Sequence, residues 1–340
     1  MTHHATMRVA QVTAARGPIE VVERPIPDPG PGKVRVKVEA CGLCHSDTVT
    51  KDSLFPGITY PRVPGHEVAG VIDALGEGVA NWKVGQRVGI GWIGGHCTVC
   101  QPCRRGKFAV CERAQIPGIV YDGGYQEYMV TSAQGLAAIP DALSFEEAAP
   151  LLCAGITTFN ALRHSGAMPG DVVAIQGLGG LGHLGIQYAN KMGFETVAIG
   201  RGEDKKDFVA KLGAHHYIDT NAVKPAEALQ KLGGATTILA TAPDSKSMSP
   251  LVGGLAADGT LVVIGVGPGN IEVSPTEIVL ARRAVKGWPS GTATDSEDAM
   301  RLAALSGIRP MIETFPLAEA AAAYERMVSG KARFRVVMKM

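Results

Sequence analysis

The sequence predicts two domains, one built mainly of β-strands and one in which strands and helices alternate around a parallel sheet. A chain of 340 residues is long enough to form two hydrophobic cores. Short strand patterns separated by Gly-rich turns fill about the first 150 residues. From Asp171 onward apolar strands alternate with amphipathic helices, which implies a parallel sheet with right-handed crossovers.

The β-rich part contains an alternating strand. Over Lys33–Val38 valines alternate with lysine and arginine, so that one face of the strand is apolar and the other is charged. Further strands are predicted at residues 68–74 and 87–91. An Ala-rich helix at residues 317–328 and a terminal strand at residues 334–338 are expected to return to this domain.

The part in which strands and helices alternate is preceded by a change of pattern near Ser144, which together with Glu147 predicts a capped helix start. The strand predicted at Val172–Ile175 is apolar throughout, as expected for a strand covered on both faces. An amphipathic helix through Leu181 follows, and further strands are predicted at residues 196–199, 217–218, 237–240 and 261–265. The expected domains are residues 1–150 with 287–340, and residues 151–286.

Charge and hydropathy exclude several classes of function. Lys and Arg number 33 against 32 for Asp and Glu, which gives no electrostatic footprint for nucleic acid or an anionic membrane. No apolar run approaches the length of a membrane span, and Met1–His4 lacks the basic start of a signal peptide. We therefore expect a cytoplasmic protein, in which seven cysteines do not form a disulfide framework.

Residues Gly177-Leu178-Gly179-Gly180-Leu181-Gly182 match the dinucleotide-binding fingerprint. They follow an apolar strand and open a helix, which is the context that the motif requires. Gly177 allows the tight turn, Gly179 lets the backbone approach a pyrophosphate, and Gly182 permits close packing of helix on strand. The helix N-terminus favours the anionic ligand. The sequence therefore predicts a Rossmann domain, and an ordinary Gly-rich turn is the alternative.

The end of the second Rossmann strand bears on the choice between NAD and NADP. NAD-binding proteins usually carry an acidic residue there, which bonds the ribose 2′-hydroxyl. This chain has Gly200 followed by Arg201, and a guanidinium suits a 2′-phosphate instead. We therefore expect NADP rather than NAD. The alternative is a solvated Arg201, with Glu203 or Asp204 in the role of the acid.

Cys97, Cys100, Cys103 and Cys111 form the most specific pattern in the chain. Four thiolates within fifteen residues can close a tetrahedral shell with no open position, which is typical of structural zinc. An iron–sulfur cluster also takes four cysteines, but the bacterial ferredoxin run has different spacing and a following proline. The sequence therefore predicts a structural zinc lobe at residues 94–112.

A second group of potential ligands lies in Cys44-His45-Ser46-Asp47 and Gly65-His66-Glu67. Thiolate and imidazole suit zinc, and three protein ligands leave one position open for reaction. Cys153 is the candidate third ligand, although a cysteine between Leu and Ala is more often a small core residue. Cys41 and Cys44 also have the spacing of a redox pair. Because they end an alternating strand, we expect Cys41 to be a packed thiol.

These motifs occur over essentially the whole chain in the order found in zinc-dependent alcohol dehydrogenases of the medium-chain dehydrogenase/reductase family, and the chain resembles its bacterial and yeast-like branch. The resemblance implies a GroES-like β-barrel catalytic domain around a Rossmann domain, two zinc ions per chain, and a homodimer or homotetramer. It implies hydride transfer between a primary or secondary alcohol and the nicotinamide cofactor, with an aldehyde or ketone as substrate in reverse.

The resemblance also assigns roles to individual residues. Catalytic zinc ligands correspond to Cys44, His66 and Cys153, with Glu67 as an occasional ligand and Asp47 as the carboxylate that orients the imidazole. The cofactor pyrophosphate corresponds to His45 and Arg335, the nicotinamide lining to Thr157 and Leu181, and an aromatic wall of the substrate pocket to Trp92. Ser46 would accept the proton of the alcohol. Many relatives end the proton relay with a histidine where this chain has Val49.

Two other functions stay open on the sequence alone. One is a zinc-free quinone or enone reductase with the same two domains, and the other is a non-catalytic nucleotide-binding protein. The complete three-ligand set argues against both. The substrate is not named by the sequence, although an apolar pocket is indicated by Leu54, Phe55, Tyr60, Trp92 and Trp288.

Overall fold

The computed structural model describes residues 5–340, and Met1–His4, where the sequence predicts no signal peptide, lie outside the described residues. The chain forms two compact units. We call the first, which ends at Ile156 and includes Gly291–Met340, the β unit, and the second, Thr157–Ser290, the α/β unit. Within residues 5–340, no helix combines the length and apolar character needed to cross a bilayer.

Strands and helices are numbered in chain order. The strands are β1 (Thr6–Val12), β2 (Ile19–Pro25), β3 (Lys33–Leu43), β4 (Glu67–Leu75), β5 (Arg87–Ile90), β6 (Tyr128–Ser132), β7 (Leu136–Ala138), β8 (Val172–Gln176), β9 (Glu195–Gly200), β10 (His216–Asp219), β11 (Ala235–Ala240), β12 (Leu255–Val263), β13 (Ala284–Gly287), β14 (Ile312–Pro316) and β15 (Arg335–Lys339). The helices are α1 (Asp47–Asp52), α2 (Gln101–Arg104), α3 (Phe145–Pro150), α4 (Ile156–Arg163), α5 (Gly182–Lys191), α6 (Lys206–Lys211), α7 (Pro225–Lys231), α8 (Ser245–Met248), α9 (Pro275–Ala281), α10 (Ala293–Ser306) and α11 (Ala320–Val328). A π-helical turn, Leu151–Gly155, joins α3 to α4.

The β unit is built on a sheet in the order β14-β15-β3-β4-β5-β7, with β6 also paired to β3. β15 pairs antiparallel with β3, placing Val336 opposite Leu43, so the end of the chain enters the sheet of its first half. β1 and β2 form a separate antiparallel pair, which was not predicted from the sequence. The capped start of α3 is confirmed, because Ser144 and Glu147 exchange hydrogen bonds between side chain and backbone.

The alternating pattern of β3 is confirmed. The three valines of residues 33–38 are buried, whereas both lysines are exposed. β3 continues to Leu43, beyond the predicted stretch, so that Cys41 is buried inside the strand and Cys44 follows its end. A buried strand therefore delivers the first candidate ligand to a fixed position.

The α/β unit contains six parallel strands in the order β10-β9-β8-β11-β12-β13. Counted from β8, this is the 3-2-1-4-5-6 order of a Rossmann sheet, in which ligands bind beyond the carboxyl ends of the strands where the order reverses. Gly177 follows β8 directly. β12 begins at Leu255 and ends at Val263, so the strand predicted at residues 261–265 starts earlier and ends two residues sooner than expected, and Val266, just beyond it, is 90% exposed.

The division between the units differs from the expected domain boundaries at residues 150/151 and 286/287. Leu152 packs so closely under β5 that a Cβ at Gly89 or Gly91 would lie 2.6 or 2.5 Å from its atoms. The π-helical turn is therefore attached to the β unit, which ends at Ile156. As a consequence, Cys153 belongs to the same unit as Cys44 and His66.

An ion pair fastens α11 to β14. Arg326 donates to both carboxylate oxygens of Glu313, at 2.7 and 3.1 Å, and these hydrogen bonds hold the pKa of Glu313 below its ordinary value. A lowered carboxyl pKa stabilises the fold above the unfolded-state pKa, and this stability is lost as the pH falls through the folded-state value. We expect Glu313→Gln to lower the urea midpoint modestly at pH 7, since the pair is partly exposed. The difference should shrink below pH 4.5, the ordinary value, and an equal loss at pH 7 and in strong acid would contradict it.

Candidate active site

Four potential metal ligands converge within the β unit. One donor atom from each of Cys44, His66, Glu67 and Cys153 lies within 4.8 Å of the others. The Sγ atoms of Cys44 and Cys153 are 3.8 Å apart, close to the separation of two thiolates each about 2.3 Å from one tetrahedral zinc ion. Cys44 follows β3, His66 and Glu67 stand at the start of β4, and Cys153 comes from the π-helical turn. Three separate elements thus meet at one point.

The imidazole of His66 is oriented as a metal ligand should be. It is almost fully buried, and its Nδ1 lies 3.1 Å from Oδ1 of Asp47. Its Nε2 is buried without a hydrogen-bond partner. A buried polar atom left unpaired is costly, whereas a bond from Nδ1–H to a carboxylate is the usual support of a ligand histidine. The donor set therefore fits zinc.

The pKa values of Cys44, Cys153 and His66 are shifted in different directions. A hydrogen bond from Cys153 holds the pKa of Cys44 well below its ordinary value, and the same contact, with burial, raises the pKa of Cys153. Burial lowers the pKa of His66, but the carboxylate of Asp47 and the neighbouring Cys44 raise it overall. Because zinc takes thiolate and neutral imidazole, zinc bound by these residues would displace their protons.

Glu67 is fully buried beside Arg335. Arg335 donates to Oε1 of Glu67 and, at 2.9 Å, to the carbonyl of Leu43, while Oε2 of Glu67 is buried without a partner. Burial raises the pKa of Glu67 to about 7, against the opposing charge of Arg335. A side chain at Gly42 would overlap Oε2. The contact between Arg335 and Glu67 was not foreseen, and the contact of Arg335 with the cofactor pyrophosphate stays a prediction.

Other predicted residues lie around this cluster. The rings of Trp92 and His66 meet edge-on with centroids 4.9 Å apart, so Trp92 is beside the candidate ligands. Ser46 is half-buried at the start of α1 and makes no side-chain hydrogen bond to that helix. His45 is exposed and Val49 is half-buried. His45 is thus the most exposed of these four residues, and the roles expected for Ser46, His45 and Trp92 stay predictions.

The remaining residues of the predicted apolar pocket have separate environments. Leu54 and Phe55 are exposed, and the hydroxyl of Tyr60 donates to the carbonyl of Thr50 at 2.6 Å. Trp288, in the α/β unit, stacks on His164 with centroids 4.6 Å apart. A single lining formed by all five aromatic and aliphatic residues therefore stays a prediction.

The four cysteines of the lobe at residues 94–112 also gather at one point, with their Sγ atoms within 4.8 Å of one another. Backbone N–H groups of Cys97, Cys100 and Arg113 each lie 3.4 Å from a cysteine sulfur. The N–H of Cys100 lowers the pKa of Cys97 to about 6, whereas burial raises the pKa of Cys103 to about 12. Thiolates this close repel one another unless a cation binds them, so the lobe fits a closed metal site.

The α/β unit has a cavity of about 580 Å³ at the carboxyl ends of β8 and β9. Its lining includes Gly177, which has a φ of +94°. A side chain at Gly182 would overlap the carbonyl oxygen of Gly177, while one at Gly179 would meet nothing within 4 Å. Gly177 therefore allows the tight turn, Gly182 allows close packing of helix on strand, and Gly179 leaves the backbone open to a ligand, as the motif requires. Gly180 lies between them, Leu181 precedes α5, and Thr157 is buried in α4.

The same cavity is lined by Gly200, Arg201 and Lys205. The side chain of Arg201 is mostly exposed, with Nη2 4.0 Å from Asp244, and Lys205 donates to the carbonyl of Arg201 at 2.7 Å. A side chain at Gly200 would overlap Leu178. Glu203 and Asp204 lie on the exposed turn beyond, outside the cavity lining. The position of Lys205 in the cavity lining was not predicted from the sequence, although the sequence shows this second cation four residues after Arg201.

Tyr125 is a further residue that sequence reasoning missed. Its hydroxyl donates to Oδ2 of Asp47 at 2.7 Å, and its side chain is fully buried. Nothing in the spacing of the sequence links position 125 to position 47, because the two meet only through the pairing of distant segments. The support of His66 therefore extends one residue further than the motifs indicate.

Comparison with known proteins agrees with this geometry. Residues 30–141 match the model of the alcohol dehydrogenase GroES-like domain, and residues 180–305 match that of the zinc-binding dehydrogenases. The chain is 48% identical over 308 residues to alcohol dehydrogenase patD of Penicillium expansum, an alignment that covers 91% of this chain and 90% of that protein. The share of each chain covered indicates the same domain composition in both.

Solved structures lead to the same family. The cobalt- and zinc-bound thermostable alcohol dehydrogenase from Pyrobaculum aerophilum has a TM-score of 0.87 and 25% identity, covering 99% of this chain and 100% of that one. CAD from Helicobacter pylori complexed with NADP(H) has a TM-score of 0.85 and 27% identity, covering 99% and 98%. The predicted GroES-like and Rossmann folds are confirmed. The chain therefore belongs to the zinc-type alcohol dehydrogenases of the medium-chain dehydrogenase/reductase family, oxidoreductases that interconvert small alcohols and carbonyl compounds with a nicotinamide cofactor.

Proposed function

We propose that this enzyme is a two-zinc, NADP-preferring alcohol dehydrogenase whose catalytic zinc is bound by Cys44, His66 and Cys153. The observation that carries the proposal is the convergence of two sulfurs 3.8 Å apart on a buried imidazole nitrogen that has no other partner. Glu67, with one free buried oxygen, is the alternate ligand. The second zinc belongs to the four cysteines of the lobe.

The residues around the ligands divide the chemistry among them. When bound, zinc supplies a Lewis acid that eases deprotonation of an alcohol and polarises a carbonyl. Asp47 orients His66. Ser46 would accept the hydroxyl proton of the alcohol as it gives up its own, since its hydroxyl is not used to cap α1, and a bound nicotinamide would accept hydride from the carbon that bore the alcohol hydroxyl. The exposed His45, or water, would then take the proton toward solvent in the role of the histidine absent at Val49.

We expect Ser46→Ala to lower kcat by about 10²-fold or more while zinc content is unchanged, because general acid–base groups contribute on that scale. Steady-state kinetics on enzyme of measured metal content provide the test. Thr48→Ala is the matched control, since it removes a nearby hydroxyl that bonds the carbonyl of His45 at 2.8 Å. Unchanged turnover in Ser46→Ala would remove Ser46 from the relay.

The cofactor contacts extend this proposal to the α/β unit. We assign the turn from Gly177 to Gly182 and the side chains of His45 and Arg335 to the pyrophosphate, and Thr157 and Leu181 to the nicotinamide. Arg201 and Lys205 would bond a 2′-phosphate, since both line the cavity and no acid stands at Gly200. The similar chain from Helicobacter pylori carries NADP(H), which also favours this choice.

Metal analysis combined with a panel of alcohols and aldehydes, each assayed with both cofactors, tests the proposed function. We expect two zinc ions per chain and a higher kcat/KM with NADP than with NAD. Arg201→Ala should reduce kcat/KM for NADP by about tenfold, the scale of one charged hydrogen bond, and spare NAD. One zinc ion and turnover of quinones or enones would favour the zinc-free reductase. Absence of turnover with every substrate would favour a nucleotide-binding protein.

We also propose a homodimer or homotetramer that works in the cytoplasm. β13 is an edge strand exposed along its length, and Val266, Val279 and Leu280 are among the most exposed apolar side chains of the described residues. An unpaired edge beside exposed apolar residues favours association with a second chain. The thiolates of both ligand clusters favour a reducing compartment. Sedimentation velocity tests the assembly, and a monomer at all concentrations would contradict it.

A further inference from the structure

Asp47, the carboxylate that faces His66, is itself held by two donors. Its Oδ2 accepts hydrogen bonds from the backbone N–H of Cys44 at 2.8 Å and from the hydroxyl of Tyr125 at 2.7 Å. Its Oδ1 lies 3.1 Å from Nδ1 of His66. Asp47 is 2% exposed and Tyr125 is 0% exposed, so water cannot replace these bonds. One oxygen is therefore fixed by the protein while the other faces the imidazole.

The position of the Tyr125 hydroxyl is determined by packing at the ring and by the backbone. A Cβ at Gly65, directly before His66, would lie 2.5 Å from the ring of Tyr125, and Gly65 has a φ of +100°. The N–H of Tyr125 donates to the carbonyl of Pro64 at 3.1 Å, and its carbonyl accepts from the N–H of Ala10 at 2.8 Å. The hydroxyl therefore reaches Asp47 from a fixed direction.

Packing alone does not account for a tyrosine at this position. A phenylalanine ring would fill the same space against Gly65 without burying a hydroxyl, and a buried hydroxyl is costly unless it is hydrogen-bonded. We propose that Tyr125 is a positioning residue that acts through Asp47 to fix the orientation of His66 toward the catalytic zinc. This inference rests on the proposed role of His66 as a zinc ligand.

The physical basis is the rotation of a carboxylate. The carboxylate of Asp47 can turn about its Cβ–Cγ bond, and two donors on Oδ2 hold it so that Oδ1 meets the Nδ1–H of His66. Loss of one donor leaves the carboxylate less restrained, and His66 with it. Mutation of a residue that hydrogen-bonds a ligand histidine typically lowers metal affinity by about 10–100-fold. Tyr125 contacts Asp47 and not His66 itself, so we expect an effect at the lower end of that range.

Tyr125→Phe keeps the ring and removes only the hydroxyl. In the holoenzyme, transfer of zinc to a chromogenic chelator should be about tenfold faster for the catalytic site and unchanged for the lobe. The phase that is missing in Cys153→Ser identifies the catalytic site. The visible absorption bands of the cobalt-substituted enzyme should also shift, because they report ligand geometry. Tyr121→Phe is the matched control, since it removes a hydroxyl that bonds Thr131 at 2.7 Å, and it should match the wild type.

A double variant separates positioning from general loss of stability. If Tyr125 acts through Asp47, Tyr125→Phe should change zinc release little in an Asp47→Asn background. Full additivity of the two changes would overturn the inference. So would wild-type zinc release and an unshifted cobalt spectrum in Tyr125→Phe. Either result leaves the ligand proposal standing, whereas a wild-type enzyme that binds zinc only in the lobe would overturn both.

Discussion

Replacement of Cys153 by serine is expected to remove the catalytic zinc and to lower kcat/KM by more than about 10³-fold, which corresponds to about 4 kcal/mol of lost transition-state stabilisation. The thiolate is the form of cysteine that binds metal, and a serine hydroxyl stays protonated at neutral pH. The sulfur of Cys153 lies 3.8 Å from that of Cys44, so the smaller hydroxyl oxygen of a serine at position 153 fits the same space. We therefore expect the unfolding transition to shift little. Mass spectrometry of the native protein should report one zinc ion per chain instead of two.

Cys41→Ala is the matched control for this experiment. Cys41 is fully buried in β3, and burial raises its pKa well above the ordinary value, so it stays a neutral thiol. Its loss should lower the free energy of unfolding by about 1–2 kcal/mol, yet two zinc ions should remain. A Cys153→Ser enzyme with two zinc ions and the wild-type rate would contradict the ligand assignment. Loss of zinc in Cys41→Ala would instead revive the pairing of Cys41 with Cys44.

Local patterns in the sequence sufficed for much of the fold. The alternation in residues 33–38, the apolar run Val172–Ile175 in β8 and the Gly177 turn each depend on residues that are close in sequence, so their patterns are visible in the sequence. The lobe cysteines also act over a short span. The β1–β2 pair was missed because its alternation is weaker, with β2 buried at Ile19 and largely open to solvent beyond it.

The remaining parts of the site depend on contacts between distant segments. Arg335 meets Glu67 across 268 positions, and Tyr125 meets Asp47 across 78. No periodicity marks such pairs, since each depends on how distant segments of the chain come together in the fold. The π-helical turn that presents Cys153 was likewise hidden, because a single extra residue in a helical turn leaves no pattern of its own. Attachment of this turn to β5 through Leu152 also moved the boundary between the units.

Gly182→Ala is expected to lower the stability of the fold, whereas Gly179→Ala is expected to lower the affinity for the cofactor. A Cβ at Gly182 would overlap the carbonyl oxygen of Gly177, so α5 must separate from the end of β8. We expect a loss of about 3 kcal/mol in the free energy of unfolding, the scale of an overpacked core. A Cβ at Gly179 meets no atom within 4 Å, so stability should be nearly unchanged. It would instead stand where the backbone must approach the pyrophosphate, and cofactor affinity should fall by at least about tenfold.

Urea unfolding and fluorescence titration with NADPH, applied to both variants, separate packing from ligand approach. The two changes add the same methyl group three positions apart, so any difference between them comes from what that group meets. Equal stability of the two variants would contradict the close approach of Gly182 to Gly177. Wild-type cofactor affinity in Gly179→Ala would show that the pyrophosphate does not contact this turn, since a backbone that approaches a phosphate closely leaves no room for a Cβ.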